Sequence, residues 1–279
     1  MRAILLPADR SPAMASALVC AKCLGQSFSS QIDGLALRPI FTDIVAPDPI
    51  VAVPLPPAQW NEAEFTLASR QDFESYFSDE GIARAGRSNN SGVSYNWRHQ
   101  AAIDDAALGS LSRVYDITVI GRPGAQPAGP RLSSIEAVLF DGGRPVLIAP
   151  PRPPTSLGQS ILIAWNQSTE TARAVALALP LLRRAKAISI LTVSGGVVPG
   201  PSGSELQRYL AKNDIIAETI DAKSRGRRSG EAILQVAGTT GADLIVKGAY
   251  TTSRLRQMIF GGATSHLLSA AELPVFMAS

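Results

Sequence analysis

The fold is decided by residues 241–279, which read GADLIVKGAYTTSRLRQMIFGGATSHLLSAAELPVFMAS. One apolar run near 242–248 begins this stretch, and a second near 273–278 ends it. Continuous apolar runs are typical of strands that are covered on both faces of a parallel sheet. The residues near 262–271, which follow a glycine pair, have the pattern of a helix. The stretch therefore predicts a strand, a loop, a helix and a further strand of an α/β fold.

The same alternation continues on the amino-terminal side of this stretch. We predict strands near 160–166, 186–193 and 214–221, and helices near 168–184, 202–213 and 229–240. Alternation at this spacing gives a parallel sheet with right-handed crossover connections. Ser168 and Ser229 stand where the first and third of these helices begin, so we expect both to act as N-caps.

The first half of the sequence repeats the second. Ile4 in AILLPADRS corresponds to Ile161 in SILIAWNQS, and Ser11 is the expected helix cap of the first copy. Two later pairs follow in the same order: DITVIG (116–121) with DLIVKG (243–248), and GRPVLIAP (143–150) with ELPVFMAS (272–279). Three matches in one order indicate an internal repeat.

We therefore predict an α/β fold of two tandem five-stranded parallel-sheet domains, at residues 1–150 and 151–279, packed into one pseudo-symmetric body. Four prolines within residues 150–154 indicate a stiff linker between them. The first copy carries an insertion near 39–60, where five prolines interrupt VAPDPIVAVPLPP (45–57), and a long helix is predicted over 60–85.

Composition limits the function classes. Hydrophobic residues make up 46% of the chain and charged residues 18%, which suits folded domains with sizeable cores. A net charge of +3 does not provide the concentrated basic face that nucleic acid requires. No apolar stretch is long enough to span a membrane, and the apolar run at the start is too short for a signal peptide, so we expect a cytoplasmic protein without membrane or nucleic-acid partners.

Motifs of catalysis and metal binding are missing from the sequence. It contains no nucleophile elbow, no complete phosphate-loop motif and no metalloprotease motif, so we expect no enzyme. Cys20 and Cys23 lie towards the end of a predicted helix and are interpreted as ordinary thiols, with one on the core face. The two histidines, His99 and His266, have no second metal ligand nearby in the sequence.

The turns after the first and fourth strands of each copy are the candidate binding sites. In an open α/β sheet, ligands bind beyond the carboxyl ends of the strands where the strand order reverses. In the second copy these turns contain Asn166 and the run from Gly248 to Thr251, followed by residues 261–264 at the start of the last helix. Small residues at a helix N-terminus allow backbone N–H groups to approach an anion.

The carboxy-terminal stretch resembles the end of universal stress proteins, and WNQSTETARAVALALPLL (165–182) resembles the first strand and helix of tandem members of that family. The resemblance implies a Rossmann-like fold of the adenine nucleotide alpha hydrolase type and a role in stress response. Some family members bind ATP through Gly-x-x-Gly, nine residues, and then Gly-Ser or Gly-Thr, and we expect Mg²⁺ to accompany a nucleotide bound by this chain. They also place an aspartate after the first strand.

This motif is only partly preserved in the second half. Gly248 and Gly261 occupy two of its glycine positions, whereas Thr251 replaces the other glycine, Gly262 replaces the hydroxyl residue, and Asn166 replaces the aspartate. The further candidates for ligand binding are Arg254, Ala263 and Thr264. The resemblance thus implies adenine-nucleotide binding through a partly degenerate site.

The first half departs from the motif differently. It keeps Asp9, and Gly121 and Gly124 supply the spaced glycines, but Ser133 stands where the family has its third glycine. For these residues we favour the interpretation that the glycines only form tight turns between strands and helices.

Two functions follow from the sequence. The first is a stress-response protein that binds or senses ATP through the second half, with slow hydrolysis of bound ATP left open. The alternative is a carrier of another small ligand, or a protein-interaction module, on the same fold. The last strand forms dimers in relatives, so we expect either an intrachain pseudo-dimer or a homodimer.

Overall fold

The computed structural model describes residues 1–40, 60–86, 92–124, 129–223, 228–249 and 262–279. In the first half the strands are β1 (Ala3–Ala8), β2 (Gln31–Ala36), β3 (Ala83–Arg84), β4 (Ser94–Trp97), β5 (Ile117–Gly121) and β6 (Val146–Ala149). The helices are α1 (Ala13–Phe28), α2 (Glu62–Asp79), α3 (Asp105–Ser112) and α4 (Leu132–Glu136), which continues as a π-helix over Ala137–Asp141.

The second half follows the predicted alternation. Its strands are β7 (Ser160–Ala164), β8 (Ala187–Ser194), β9 (Glu218–Lys223), β10 (Leu244–Gly248) and β11 (Val275–Ala278). Its helices are α5 (Thr169–Leu182), α6 (Gly203–Ala211), α7 (Ser229–Thr240) and α8 (Gly262–Ala270). The α/β fold class and each element predicted for this half are confirmed.

The described strands form one sheet in the order β3-β4-β2-β1-β5-β6-β11-β10-β7-β8-β9. Counted outward from the centre, the two halves have the same order, apart from the additional short strand β3 at one edge. Every pair is parallel except β6 and β11, which are antiparallel, with Phe276 opposite Leu147. The last strand of each half therefore pairs with the other inside one chain, as the pseudo-dimer requires. The domain boundary at residue 150 stays a prediction.

Apolar side chains form a core on each face of the sheet. One cluster includes Ile4, Phe73, Ile161 and Phe276, and the other includes Leu5, Leu162, Ile245 and Met277. Each cluster contains residues of both halves, and neighbouring strand residues alternate between the clusters. This burial on both faces explains why the strands have continuous apolar sequences.

An aspartate fixes β5 to β1 in the first half, and another fixes β10 to β7 in the second. Asp116 accepts the backbone N–H groups of Arg2 and Ala3, and Asp243 accepts those of residues 158, 159 and 160. Burial alone would raise the pKa of Asp116, but these backbone donors outweigh it and lower the pKa below its ordinary value. The internal repeat thus extends to a matching polar contact at the start of both central strands.

Two of the three predicted serine caps are wrong. Ser168 is the N-cap of α5, and its hydroxyl accepts the N–H of Thr171 at 3.2 Å. By contrast, the N-cap of α1 is Pro12, because Pro12 is already helical and the N–H of Met14 bonds to the carbonyl of Ser11 instead of its hydroxyl. The helix after the basic loop has Arg228 at its N-cap position, so Ser229 is the first helical residue and not the cap.

Two element boundaries also differ from the predictions. The helix predicted over 60–85 ends at Asp79, because Gly81 adopts a φ of 71° and the N–H of Ile82 returns to the carbonyl of Phe77. The strand predicted to begin at 214 begins at Glu218, since Asp214 has a φ of 60° where the chain leaves α6. Most of the proline-rich insertion near 39–60 lies outside the described residues.

Candidate functional site

A cavity of about 330 Å³ lies at the carboxyl ends of β7, β8 and β10. Its walls are mainly apolar, and its polar side chains are few. The apolar side chains are Ala164, Trp165, Leu191, Val193, Val197, Val198, Ile233 and Ala263, and the polar ones are Asn166, Ser229, Lys247 and Thr264. The strand order reverses at β7, so the cavity occupies the position where open α/β sheets bind ligands.

The turn after β7 places Asn166 at the cavity. Its side-chain oxygen accepts the N–H of Ser168 at 3.3 Å and the hydroxyl of Thr171, while Gln167 adopts a φ of 69°. This is an Asx-type turn, in which a short polar side chain substitutes for a backbone acceptor. An amide oxygen serves this turn as well as a carboxylate oxygen, which explains how asparagine fits where the family motif has aspartate.

The amino end of α8 also lines the cavity. Gly262 is exposed, and no atom of the described residues lies within 4 Å of an added Cβ there; Ala263 and Thr264 follow on the cavity lining. The three candidates Gly262, Ala263 and Thr264 are thus brought together with Asn166. The candidates Thr251, Arg254 and Gly261 lie outside the described residues.

Lys247 is the functional candidate that the sequence analysis missed. Lys247 is only 6% exposed, although the strand around it is apolar, and it lines the cavity. The Nζ donates to the carbonyl of Gly248 and to the hydroxyl of Thr264, both at 2.8 Å. Burial lowers the pKa of Lys247 to about 8. The available signal was a single cation inside the apolar run DLIVKG.

Gly248 serves to pack β10 against α5. A Cβ at this position would lie 2.4 Å from the backbone nitrogen of Thr171 and 2.7 Å from its hydroxyl. Real Cβ atoms do not approach backbone that closely, so a larger residue would displace the start of α5. The lining of the cavity does not include this glycine.

The first-half candidates are arranged differently. Asp9 is buried, and its carboxylate accepts the N–H of Ser11 at 2.9 Å, which forms the same turn as Asn166. Burial raises the pKa of Asp9, although the bond from Ser11 opposes this effect. Gly121 packs against Ala13, whereas Gly124 is exposed with open space around it. These contacts agree with turn-forming and packing roles for the first-half residues.

The arrangement of the second-half site suits binding. The apolar walls can surround a small organic body, and the lysine, hydroxyl and amide groups can orient a polar end. Across the described ranges, no three His, Cys, Asp or Glu side chains cluster to hold a metal ion. Over the same ranges, none of the helices is long and apolar enough to cross a membrane.

Comparison with known proteins identifies the second half. Residues 158–279 match the model of the universal stress protein family. No curated protein matches the sequence.

Solved structures resemble the whole chain. A universal stress protein from Archaeoglobus fulgidus DSM 4304 has a TM-score of 0.69 at 17% identity, over 99% of this chain and 97% of that one. A protein from Pseudomonas aeruginosa UCBPP-PA14 assigned to the universal stress proteins has a TM-score of 0.56 at 15% identity, over 100% and 93% of the two chains. A functionally unknown protein from Pseudomonas aeruginosa PAO1 has a TM-score of 0.56 at 14% identity, over 100% and 92%.

The two kinds of comparison agree on the same fold. The structural likeness shows that the Rossmann-like arrangement extends over both halves, and the family model assigns the half that contains the cavity. Residues 158–279 thus match the universal stress protein family, and the chain as a whole has the fold seen in solved structures of such proteins.

Proposed function

We propose that the chain is a stress-response protein that binds an adenine nucleotide in the cavity of its second half, with Mg²⁺ as the counterion of the phosphates. The main support for this proposal is that Asn166, Gly262, Ala263 and Thr264 all line one cavity. A volume of about 330 Å³ is at the lower end of the range of small-molecule sites, about 300–1,000 Å³, and suits a nucleoside-sized body.

The proposed activity is binding without catalysis. Among the described residues the lining includes no histidine, cysteine or carboxylate, and its lysine, Lys247, already donates hydrogen bonds to Gly248 and Thr264. A bound nucleotide would therefore act as a signal that stabilises the protein and its contacts, and any hydrolysis would be slow. A cytoplasmic location and the absence of nucleic-acid partners are part of the same proposal.

The alternative is a carrier of a different small ligand. Apolar side chains form much of the cavity wall, including Leu191, Val193 and Ile233, and asparagine stands in place of the acidic residue. Such a wall also suits an apolar ligand with one polar end. Mass spectrometry of small molecules released from the denatured protein distinguishes the two, since the nucleotide proposal expects adenine nucleotide and the carrier expects another compound.

Titration calorimetry with Mg·ATP tests the proposal directly. Gly262→Asp adds a carboxylate to the cavity lining, and in the described part of the chain no atom lies within 4 Å of the added Cβ. We expect this variant to weaken ATP binding at least tenfold, about 1.4 kcal/mol, by repulsion of the phosphates. Gly124→Asp is the matched control, since Gly124 is equally open and lies in the first half.

Unchanged affinity in Gly262→Asp would contradict binding at this cavity. Loss of binding in Gly124→Asp alone would instead place the nucleotide in the first half. If the wild-type protein shows no binding heat with Mg·ATP and releases no nucleotide, the nucleotide proposal is rejected and the carrier function is favoured.

A further inference from the structure

Lys247 is a buried cation whose two acceptors are both neutral. The carbonyl of Gly248 and the hydroxyl of Thr264 accept its hydrogen bonds, and neither carries a charge. An ammonium group has three donors, and in the part of the chain that the structure describes two of them have acceptors. Burying an ammonium without a counterion is unfavourable, so such groups are normally paired.

The surrounding protein supplies no counterion in the described residues. No carboxylate contributes to the pKa of Lys247, which burial alone lowers. Glu231 of α7 pairs with Arg228 at 3.2 Å, and Glu170 of α5 accepts the hydroxyl of Thr169. His266 is the titratable residue of α8, and an added Cβ at Gly230 of α7 would contact it. The sequence of residues 250–261, which continues from β10, contains two arginines and no acidic residue.

The cavity lies directly beside this uncompensated charge. Lys247 is the one cation among the lining residues that the structure describes, and Thr264 stands next to it in the first turn of α8. Because the hydroxyl of Thr264 accepts from Lys247, its own hydrogen is oriented away from the ammonium and can serve a ligand. The positive end of the α8 dipole adds to the same preference for an anion.

We propose that Lys247, positioned by Thr264, binds the anionic group of the ligand that occupies this cavity. In the nucleotide function that this inference extends, the group is a phosphate. A carboxylate ligand would use the same ammonium and hydroxyl. The lysine thereby supplies the attraction for anions that the family motif obtains from its glycine loop and hydroxyl residue, which this chain retains only in part.

The test follows the ionisation of Lys247 itself. Nuclear magnetic resonance of protein with ¹³C-labelled lysine observes the five lysines of the sequence, and Lys247→Met identifies the signal of Lys247 by its loss. An anion bound to the ammonium favours the charged form, so we expect pyrophosphate to raise the pKa of Lys247 from about 8 by about one pH unit or more. The other four signals should stay in place.

The choice of anion distinguishes the two ligand chemistries. A larger effect of pyrophosphate than of malonate identifies a phosphate site, and the reverse identifies a carboxylate site. If neither anion changes the pKa of Lys247, the proposal is overturned.

Binding measurements separate this inference from the proposed function. We expect Lys247→Met to weaken the binding of pyrophosphate and ATP by about tenfold to a hundredfold, the range of a charge-assisted hydrogen bond, and to leave adenosine binding unchanged. Thr264→Val, which keeps the shape of the side chain, should show a smaller loss in the same direction. Lys212→Met, at an exposed lysine at the end of α6, is the control.

Each pattern of results has one meaning. Pyrophosphate that raises the pKa of Lys247 in a protein without affinity for ATP supports the anion site and rejects the nucleotide function. ATP that binds wild type and Lys247→Met equally supports nucleotide binding and rejects the role of Lys247.

Discussion

The two halves share a backbone plan, but the side chains at the start of their last helices have partners of opposite charge. In the first half, Arg131 at the start of α4 pairs with Asp105 at 2.7 Å, and the hydroxyls of Ser133 and Ser134 both donate to the same carboxylate at 2.6 Å. Burial alone would raise the pKa of Asp105, but these donors outweigh it and lower the pKa below its ordinary value. At the start of α4 the negative charge is therefore supplied by the protein itself, through Asp105.

In the second half, the corresponding helix start faces a cation and a cavity. Lys247 of β10 occupies the position that Ile120 occupies in β5, and its Nζ contacts Thr264 of α8. The comparison teaches that a repeated fold does not imply a repeated site. At this helix start the first half pairs its polar groups with Asp105, whereas the second half leaves a buried positive charge beside a space that a ligand can fill.

The largest expected effect comes from giving the first half the lysine of the second. Ile120 is 2% exposed within a core cluster, so Ile120→Lys buries a charge among apolar side chains. We expect the free energy of unfolding to fall by about 4 kcal/mol, as for other buried charges without partners. Urea unfolding measures the change. Val114→Lys, at an exposed position of the same half, should change little, and an equal loss in both would contradict the comparison.

The converse change should stabilise the second half. Burial lowers the pKa of Lys247 from 10.5 to about 8. At 1.36 kcal/mol per pKa unit this corresponds to roughly 3 kcal/mol, so Lys247→Met should raise the free energy of unfolding of the ligand-free protein by that amount at neutral pH.

The effect of Lys247→Met should also depend on pH. The folded protein releases the Lys247 proton near pH 8, whereas the unfolded chain keeps it to about pH 10.5, so the unfolded state binds more protons between these values. Wild type therefore gains stability relative to the variant as the pH rises through this window, and the difference narrows. Unfolding curves of both proteins at neutral pH and at about pH 10 test this. A difference that does not vary with pH would exclude the buried ammonium as its cause.

Replacing the matching glycines at the ends of β5 and β10 with alanine should destabilise the protein by different amounts. Gly248→Ala places a Cβ 2.4 Å from backbone, whereas in Gly121→Ala the nearest atom is the Cβ of Ala13 at 2.7 Å. Overpacking against a helix start is expected to destabilise the protein by about 2 kcal/mol in Gly248→Ala and about 1 kcal/mol in Gly121→Ala. Gly238→Ala, in the open interior of α7, should be neutral or stabilising and serves as the control. Equal losses at Gly248 and Gly238 would refute the packing argument.

The smallest effects should come from the two aspartates that fix the central strands. Asp243 accepts three backbone N–H groups and Asp116 accepts two. Both carboxylate oxygens of Asp243 accept, whereas a single oxygen of Asp116 accepts both of its bonds. Asp243→Asn loses an acceptor oxygen as well as the charge, so we expect a loss of about 1.5 kcal/mol, and Asp116→Asn loses only the charge, for which we expect about 1 kcal/mol. Thermal unfolding compares them with Asp221→Asn on the edge strand β9, which should be unaffected. A larger loss at Asp221 than at Asp243 would show that these contacts are unimportant.

The sequence by itself determined the elements of the second half and the internal repeat. Continuous apolar runs, Ala-rich helical patterns and turn residues are local signals, because each depends on neighbours within a few positions. They predicted β7, β8, β10 and β11 to within a few residues, and they placed Asn166 after β7 and residues 262–264 at the start of the last helix. Ser168 was predicted as a cap because its partner, Thr171, is local as well.

Only the tertiary structure decided which of these residues form the site and how the halves join. The antiparallel pairing of β6 with β11 brings together Leu147 and Phe276, and no local pattern specifies a contact at that separation. Lys247 acquires its lowered pKa only because α8 and the sheet bury it, and Gly248 is restricted only because α5 packs on it. Burial, close packing and charge compensation arise between distant segments, so the sequence contained the lysine but not its environment.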